Sequence, residues 1–441
     1  MTPQFLGRTG CRPMGSVLEP GGCPLMRVLV FTSLFPSPGW PTQWVYHVNA
    51  VKALSEFCDV RVVAPIAWQR RLRYLPALLG KSAYVMDGGI PVYHPTVFGV
   101  PGVHRLHGTT MYLSVRPFIR RLRREWEFDA ILGIWAYPDA YVAGRLARDS
   151  ACPLVANVIG SDVNELPNKP HMRPLVKAAL DSAYRVIALS RAMQQCVVEL
   201  GVALEKVLVQ YNGVDGERFR PDSKSDSRRR LGYTGAGPLI CYVGNLVPEK
   251  GPDILLNGFK VLTEKMRDRG AELVVLGDGP LMRPLELLIR EYGLADRVRL
   301  LGRRPNAEVA AWVSAADVIC LPSLREGCPN VVLEALASGR PVVASNVGGV
   351  PELLDQDNGL LVPPGQPQLL GEALAAAVSR DWCPEHLRST VPCLSWRDFG
   401  AGFHSVLHSA VLHASAQQSR AGRRTVPGRS APARAGEPRG R

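Results

Sequence analysis

The sequence predicts an α/β protein made of two doubly wound parallel-sheet domains facing a cleft. Three observations carry that prediction. From Met26 onward, short β-branched runs alternate with longer stretches of helical period. The alternation breaks once, at a polar Pro/Gly-rich segment, and then restarts. Strand candidates in the second half repeatedly end on glycine. Strands buried on both faces read as near-continuous apolar runs, and helices between them supply the crossovers of a parallel sheet.

Taken in order, residues 1–25 are Gly/Pro-rich without the apolar core of a signal peptide, and read as a disordered leader or an upstream start. The first domain is assigned to 26–212. Its strand candidates are RVLVFTS, VRVVAP, AILGIW, PLVANV, RVIALS and KVLVQ, with TQWVYHVNAVKALSEF as an amphipathic helix and little sign of hairpin chemistry. A linker is placed at 213–236. The second domain, 237–380, carries PLICYVG, ELVVLG, RVRLLG, DVICLPS and RPVVAS, separated by helix-like stretches such as DILLNGFKVLTEKM and NVVLEALASG. Residues 381–412 form a C-terminal helical segment, where His404 and His408 lack a third ligand and read as a surface helix rather than a metal site. Residues 413–441 read as a disordered basic tail.

At 441 residues the chain fits two domains with a sizeable core, and no apolar run is long enough to span a bilayer. The formal charge of +13 is concentrated at the end: the last stretch from Arg420 holds seven arginines against Glu437 alone. That placement argues against a specific nucleic-acid surface in the folded part and leaves a mild basic bias, suited to anionic substrates or lipids. The 10 cysteines form no C-x-x-C, and several lie inside apolar runs, as expected for a cytoplasmic protein.

Gly244, Gly277, Gly279 and Gly302 follow successive strand candidates, where backbone can approach a nucleotide-sized ligand closely. Ordinary turn glycine is the alternative. Lys250, in the PEKG turn before a helix, opposes the helix dipole but suits a diphosphate. In REGCPNVVLEALAS, Glu326 sits in a loop, Asn330 is a plausible N-cap, and Glu334 falls in or just past the first helical turn. A single glutamate there complements the dipole. Two carboxylates beside a phosphate site instead accept hydrogen bonds from hydroxyls, which is the layout of a sugar nucleotide.

The run from YVGNLVPEKG through LVVLGDGP, RVRLLGR, AADVICLPSLREGCPNVVLEALASGRPVVASNVGGVPELL to NGLLVPPG resembles the retaining glycosyltransferases of family 4, with the GT-B fold of two Rossmann-like domains. Within that family it looks closest to bacterial enzymes of cell-surface polysaccharide synthesis, including teichuronic-acid-type transferases. MRVLVFTSLFPSPGWPT and GSDVNELPN resemble the acceptor-side domain. The resemblance implies that Glu326 faces the donor sugar and Glu334 holds the ribose. It implies that Lys250 binds the diphosphate, that Gly327, Cys328, Pro329 and Asn330 line sugar and phosphate, and that the base lies near Arg303 and Arg304. It further implies front-face retention without metal or other cofactor, with a UDP- or GDP-sugar donor and a saccharide or lipid-linked acceptor. Gly160, Ser161, Asp162 and Asn164 would lie on the acceptor side.

Three places depart from the family pattern. Asn245 stands where many relatives carry arginine, and Ile159 where they carry His or Arg. Gln43 and Trp44 replace glycine in the first loop, so that Trp44 either occludes the site or offers a stacking face to an acceptor sugar. RPFIRRLRREWEFDA, with Phe118, Ile119, Leu122 and Trp126 near helical spacing, reads either as a solvated helix packing one edge or as a contact with an anionic membrane at the cytoplasmic face. Other readings of the chain are an epimerase or phosphorylase on the same architecture, a weakly active sugar-nucleotide-binding protein, and a polyanion binder using the arginine tail.

Overall fold

The computed structural model describes residues 25–37, 44–73, 83–99 and 102–424. The expected leader, apart from Leu25, and the tail beyond residue 424 lie outside the described residues, as does Gln43.

The first domain holds β1 (Arg27–Phe31), β2 (Asp59–Val63), β3 (Ile66–Ala67), β4 (Ala83–Met86), β5 (Ile90–Tyr93), β6 (Thr96–Val97), β7 (Ala130–Ile134), β8 (Leu154–Val158), β9 (Arg185–Ala188) and β10 (Val207–Val209). Eight of these form one sheet in the order β10-β9-β8-β7-β1-β2-β5-β4, while β3 pairs with β6. The second domain holds β11 (Leu239–Val243), β12 (Glu272–Leu276), β13 (Val298–Gly302), β14 (Val318–Leu321), β15 (Val342–Ser345) and β16 (Gly359–Val362), in the order β13-β12-β11-β14-β15-β16. The all-buried AILGI and LVANV of β7 and β8 explain why these strands lie central in the first sheet.

Both sheets reverse their strand order at an internal point, β1/β7 in the first and β11/β14 in the second. Such a switch point opens a crevice at the carboxyl ends of the strands, where ligands bind. Lys250 follows β11 and Glu326 follows β14, so the second crevice receives one from each side.

The hairpin reading of the sequence needs correction. β4 and β5 pair antiparallel, Ala83 with Tyr93 and Met86 with Ile90, at the edge of an otherwise parallel sheet. The turn is Asp87-Gly88-Gly89, with both glycines at positive φ, which is ordinary hairpin chemistry. The expected linker is not a free connection either: it contains a helix, Lys224–Arg230, and Val214, Phe219 and Tyr233 are buried in the second-domain core. The last helix, Trp396–Arg424, runs twelve residues past the expected end of the helical segment. It returns to the first domain, where Phe399, Phe403, Leu407 and Ala410 join the core and His404 stacks on Phe57.

The loops after β11, β12 and β13 are stacked on one another by backbone. Gly244 N–H donates to Leu276, Gly277 N–H to Gly302 and Leu246 N–H to Asp278. Gly277 has φ 146, and a Cβ there would run into the Gly244 carbonyl oxygen; one on Gly279 would come within 2.5 Å of the Leu246 carbonyl oxygen. Loop-on-loop packing is therefore sufficient reason for glycine at both positions. Gly277→Ala should destabilise the protein by about 2 kcal/mol or more, from forbidden backbone geometry plus the collision. Urea unfolding followed by tryptophan fluorescence checks this, and an unchanged midpoint would contradict it.

Candidate active site

Lys250 lies in the one-turn segment Pro248–Lys250, and Gly251 at φ 60 turns the chain into the helix Pro252–Lys265. Its partner loop is tied down by backbone, with Leu324 N–H donating to the Glu249 carbonyl at 2.8 Å. Lys250 Nζ donates to Glu326 Oε1 at 2.7 Å, and Ser323 Oγ–H donates to the same oxygen at 2.7 Å. The Glu326 side chain is 5% exposed and that of Lys250 31%. A buried carboxylate needs such partners, and the lysine keeps an open side toward the cleft. Asn245 is exposed beside them, its carbonyl accepting from Tyr242 Oη. Arg303 and Arg304 are exposed in the loop after β13, Arg304 being tied to the Leu301 carbonyl.

Glu334 projects from the helix Asn330–Ala337, past its first turn, and is buried. Burial pushes its carboxyl up to about 7, against the opposing pull of a hydrogen bond from Tyr46 and the charge of Arg218. The bond crosses the cleft: Tyr46 Oη donates to Glu334 Oε1 at 2.9 Å. Asn330 is not the N-cap expected. Pro329 holds that position without a side-chain cap, and Asn330 Oδ1 accepts instead from Asn212 Nδ2 at 2.7 Å.

The segment Gly327–Cys328–Pro329 is squeezed between the domains. A Cβ on Gly327 would come within 3.1 Å of Gly160 Cα and 3.2 Å of the Ile159 carbonyl oxygen. Ser190 Oγ–H donates to the Gly327 carbonyl at 3.1 Å, and Asn164 Nδ2 to the Glu326 carbonyl at 3.4 Å. Burial pushes the Cys328 thiol up to about 12, so it is an inert apolar contact. Glu352 completes the clasp: its carboxylate accepts from the backbone N–H groups of Arg191 and Ala192, both at 2.7 Å, and from Tyr211 Oη at 2.8 Å. It thus caps a first-domain helix from the second domain.

On the acceptor side, Ser161 is exposed while Asp162 turns inward. Asp162 accepts from the backbone N–H groups of Ala136, Ile159 and Gly160, so it shapes the loop rather than facing a ligand. Trp44 caps the first helix, Val45–Ser55, in the left-handed region at φ 61, and its ring stacks on His47. Beneath it lies a cavity of about 180 Å³, lined by Leu132, Ile134, Ile159, Cys328, Phe399 and Phe403 among others. Trp44 and Ile159 therefore wall this space together.

Comparisons with known proteins agree with this geometry. Residues 42–213 match the domain family described as Glycosyl transferase 4-like domain, and residues 237–380 match Glycosyl transferases group 1. TuaC of Bacillus subtilis, by name a teichuronic acid biosynthesis glycosyltransferase, is 31% identical over 82% of this chain and 91% of its own. The chain belongs to this glycosyltransferase family. A D-inositol 3-phosphate glycosyltransferase of Corynebacterium glutamicum is 29% identical over 64% of this glycosyltransferase and 68% of its own length. In solved structures the same two-domain GT-B fold recurs in Anabaena HepE in complex with UDP and glucose, at TM-score 0.63 and 20% identity, covering 90% of this chain and 100% of that one. WaaG, involved in lipopolysaccharide biosynthesis, gives TM-score 0.58 at 18% identity over 88% and 98%.

Sequence reasoning missed Tyr46, Ser190, Ser323, Asn212 and Glu352 in this glycosyltransferase. Ser323, three residues before Glu326, had a local signal in its spacing; the others act across the cleft and have none. It also missed Asp139, buried after β7, which accepts from Ser33 Oγ at 2.8 Å. Burial and then the nearby Asp162 push its carboxyl up to about 7, and burial pushes Asp162 to about 6. A raised carboxyl favours the protonated folded form, so its contribution falls as pH rises from the unfolded value near 4 to about 7. Asp139→Asn should flatten that part of the stability profile. Wild type should lose up to about 4 kcal/mol relative to the variant between pH 4 and 7, as urea unfolding at stepped pH would show. Parallel profiles would contradict it.

Proposed function

We propose that this glycosyltransferase moves a sugar from a UDP- or GDP-sugar to a saccharide or lipid-linked acceptor, retaining the anomeric configuration without a metal, in cell-surface polysaccharide synthesis. The observation that carries the proposal is the Lys250–Glu326 pair at the β11/β14 switch point, with Glu334 on the following helix. The HepE complexes with UDP and with UDP-glucose support a nucleotide-sugar donor for the same fold.

In this reading Glu334 accepts the ribose hydroxyls. Lys250 exchanges its bond to Glu326 for the donor phosphates, where its charge stabilises the departing nucleotide. Glu326, freed of the lysine and still held by Ser323, accepts hydrogen bonds from the transferred sugar. The acceptor hydroxyl oxygen bonds to the anomeric carbon on the face from which the phosphate oxygen leaves, and its proton passes to that phosphate. Trp44 offers its exposed ring to the acceptor sugar.

Glu326→Gln should lower kcat by about 100-fold or more with little change in nucleotide affinity, and Glu334→Ala should weaken nucleotide binding about 10-fold. Product release with a panel of UDP- and GDP-sugars, with and without EDTA, measures both. No turnover and no nucleotide binding with any donor would sink the transferase reading. Product made without acceptor, or dependent on phosphate, would point to an epimerase or phosphorylase, and loss of activity in EDTA would refute metal independence.

Contact with an anionic membrane is also proposed, on a different face from that expected. Ile119, Leu122 and Trp126 pack into the core, whereas Leu106 and Leu113 of the helix His104–Glu125 are exposed near Arg105 and Arg120. Leu106→Glu with Leu113→Glu should abolish co-sedimentation with phosphatidylglycerol vesicles and leave transfer to a soluble acceptor intact. Equal co-sedimentation of variant and wild type would remove the membrane from the proposal.

A further inference from the structure

Glu334 is the buried carboxylate proposed to read ribose, yet in this structure its Oε1 already holds a hydroxyl. That hydroxyl belongs to Tyr46, at the start of the first-domain helix Val45–Ser55. Tyr46 is itself 38% exposed, against 8% for Glu334. The ring is partly exposed, lies 6.5 Å from the Trp396 ring beside the interdomain crossing, and reaches Glu334 with its polar tip. A carboxylate this enclosed is costly to leave without donors, and a phenol O–H presents the same donor chemistry as a sugar hydroxyl.

We infer that Tyr46 is a stand-in for a ribose hydroxyl and determines nucleotide affinity by competing for Glu334. The inference rests on the reading of Glu334 as the ribose acceptor. A vicinal diol donates to a carboxylate most fully with one hydroxyl per oxygen, so the arriving nucleoside takes Oε1 and the phenol must withdraw. The charged and titratable groups facing Glu334 are Tyr46 from the first domain and Arg218 and Asp215 from the segment before β11. Of these only Tyr46 both donates to the carboxylate and belongs to the opposite domain. Its neighbours on the same turn are Trp44 and His47, both lining the cavity beneath the cleft. Displacement of Tyr46 by a nucleotide therefore releases the wall of the acceptor side at the moment the donor seats, a coupling set by one exchangeable hydrogen bond.

The test is titration calorimetry of UDP, GDP and their 2′,3′-dideoxy counterparts against wild type and Tyr46→Phe, using the full-length protein and the tighter-binding base. Removing the phenol hydroxyl while keeping the ring should tighten the ribonucleotide roughly 3- to 10-fold, the range expected for relief of one ordinary competing hydrogen bond. The dideoxy nucleotide, which cannot use Glu334, should bind both proteins equally. Weaker or unchanged ribonucleotide binding to Tyr46→Phe, with wild type still preferring ribose over dideoxyribose, would overturn the stand-in role alone. If wild type binds ribose and dideoxyribose forms alike, the ribose assignment of Glu334 falls first. Tyr46→Met, which keeps a bulky apolar side chain and has no N–H or O–H donor, is the second variant, and tightening confined to Phe would count against the hydrogen-bond explanation.

Discussion

Everything at the cleft depends on how tightly the backbone of Glu326 and Gly327 is threaded. On one side the first domain presses Gly160, Ser190 and Asn164 against it. On the other, Gly348 and Gly349 pack so closely that a Cβ on either would collide with the carbonyl oxygens of Glu326 and Gly327. Held by close backbone and by the Ser190 and Asn164 side chains, the loop follows a course that sets the Glu326 carboxylate against Lys250. Enclosed acceptors held this way lose little on meeting a ligand, because their positioning is already complete.

The electrostatics follow from the same enclosure. Glu326 is paired and hydrogen-bonded, and Glu334 is relieved by a phenol. Each carboxylate therefore carries a protein group where a substrate group is proposed to sit. An empty site that satisfied neither would be expensive to fold; one that satisfied them irreversibly would bind nothing. The protein-supplied partners are long, partly exposed side chains, lysine and tyrosine, whose withdrawal leaves the fold intact in this reading, whereas Ser323 is short and buried and stays.

The sequence revealed the architecture well where the physics is local. Parallel strands buried on both faces announce themselves as apolar runs, and all six strands bearing the first-domain prediction occur where expected. The β4–β5 pair went unseen because both strands have four residues and β4 is a half-exposed edge strand, although the Asp-Gly-Gly turn was legible. β16, inside NGLLVPPG, was not among the strand candidates. At the site, Lys250, Glu326 and Glu334 could be found because each sits at a fixed offset from a strand end or helix start. Tyr46, Ser190 and Glu352 could not, since their meaning exists only once two domains are brought face to face. The glycines show the converse: their positions were legible, but Gly277 and Gly279 answer to neighbouring loops whose packing no sequence pattern states.

The chain passes between the domains twice, once after β10 and once on its return to the last helix. These passages are not at opposite ends of the cleft. A Cβ on Gly213 in the first would lie 2.9 Å from both the Ser395 carbonyl oxygen and Trp396 Cα in the second, and one on Gly216 would lie 2.6 Å from the Leu394 carbonyl oxygen. Two covalent crossings laid side by side act as a single pin. Any change in the relative setting of the two halves would pivot at that pin, as the jaws of a pair of tongs do. Tyr46 stands beside this pin, its ring 6.5 Å from that of Trp396, so the bond between Tyr46 and Glu334 lies near the pivot, where one half moves least against the other.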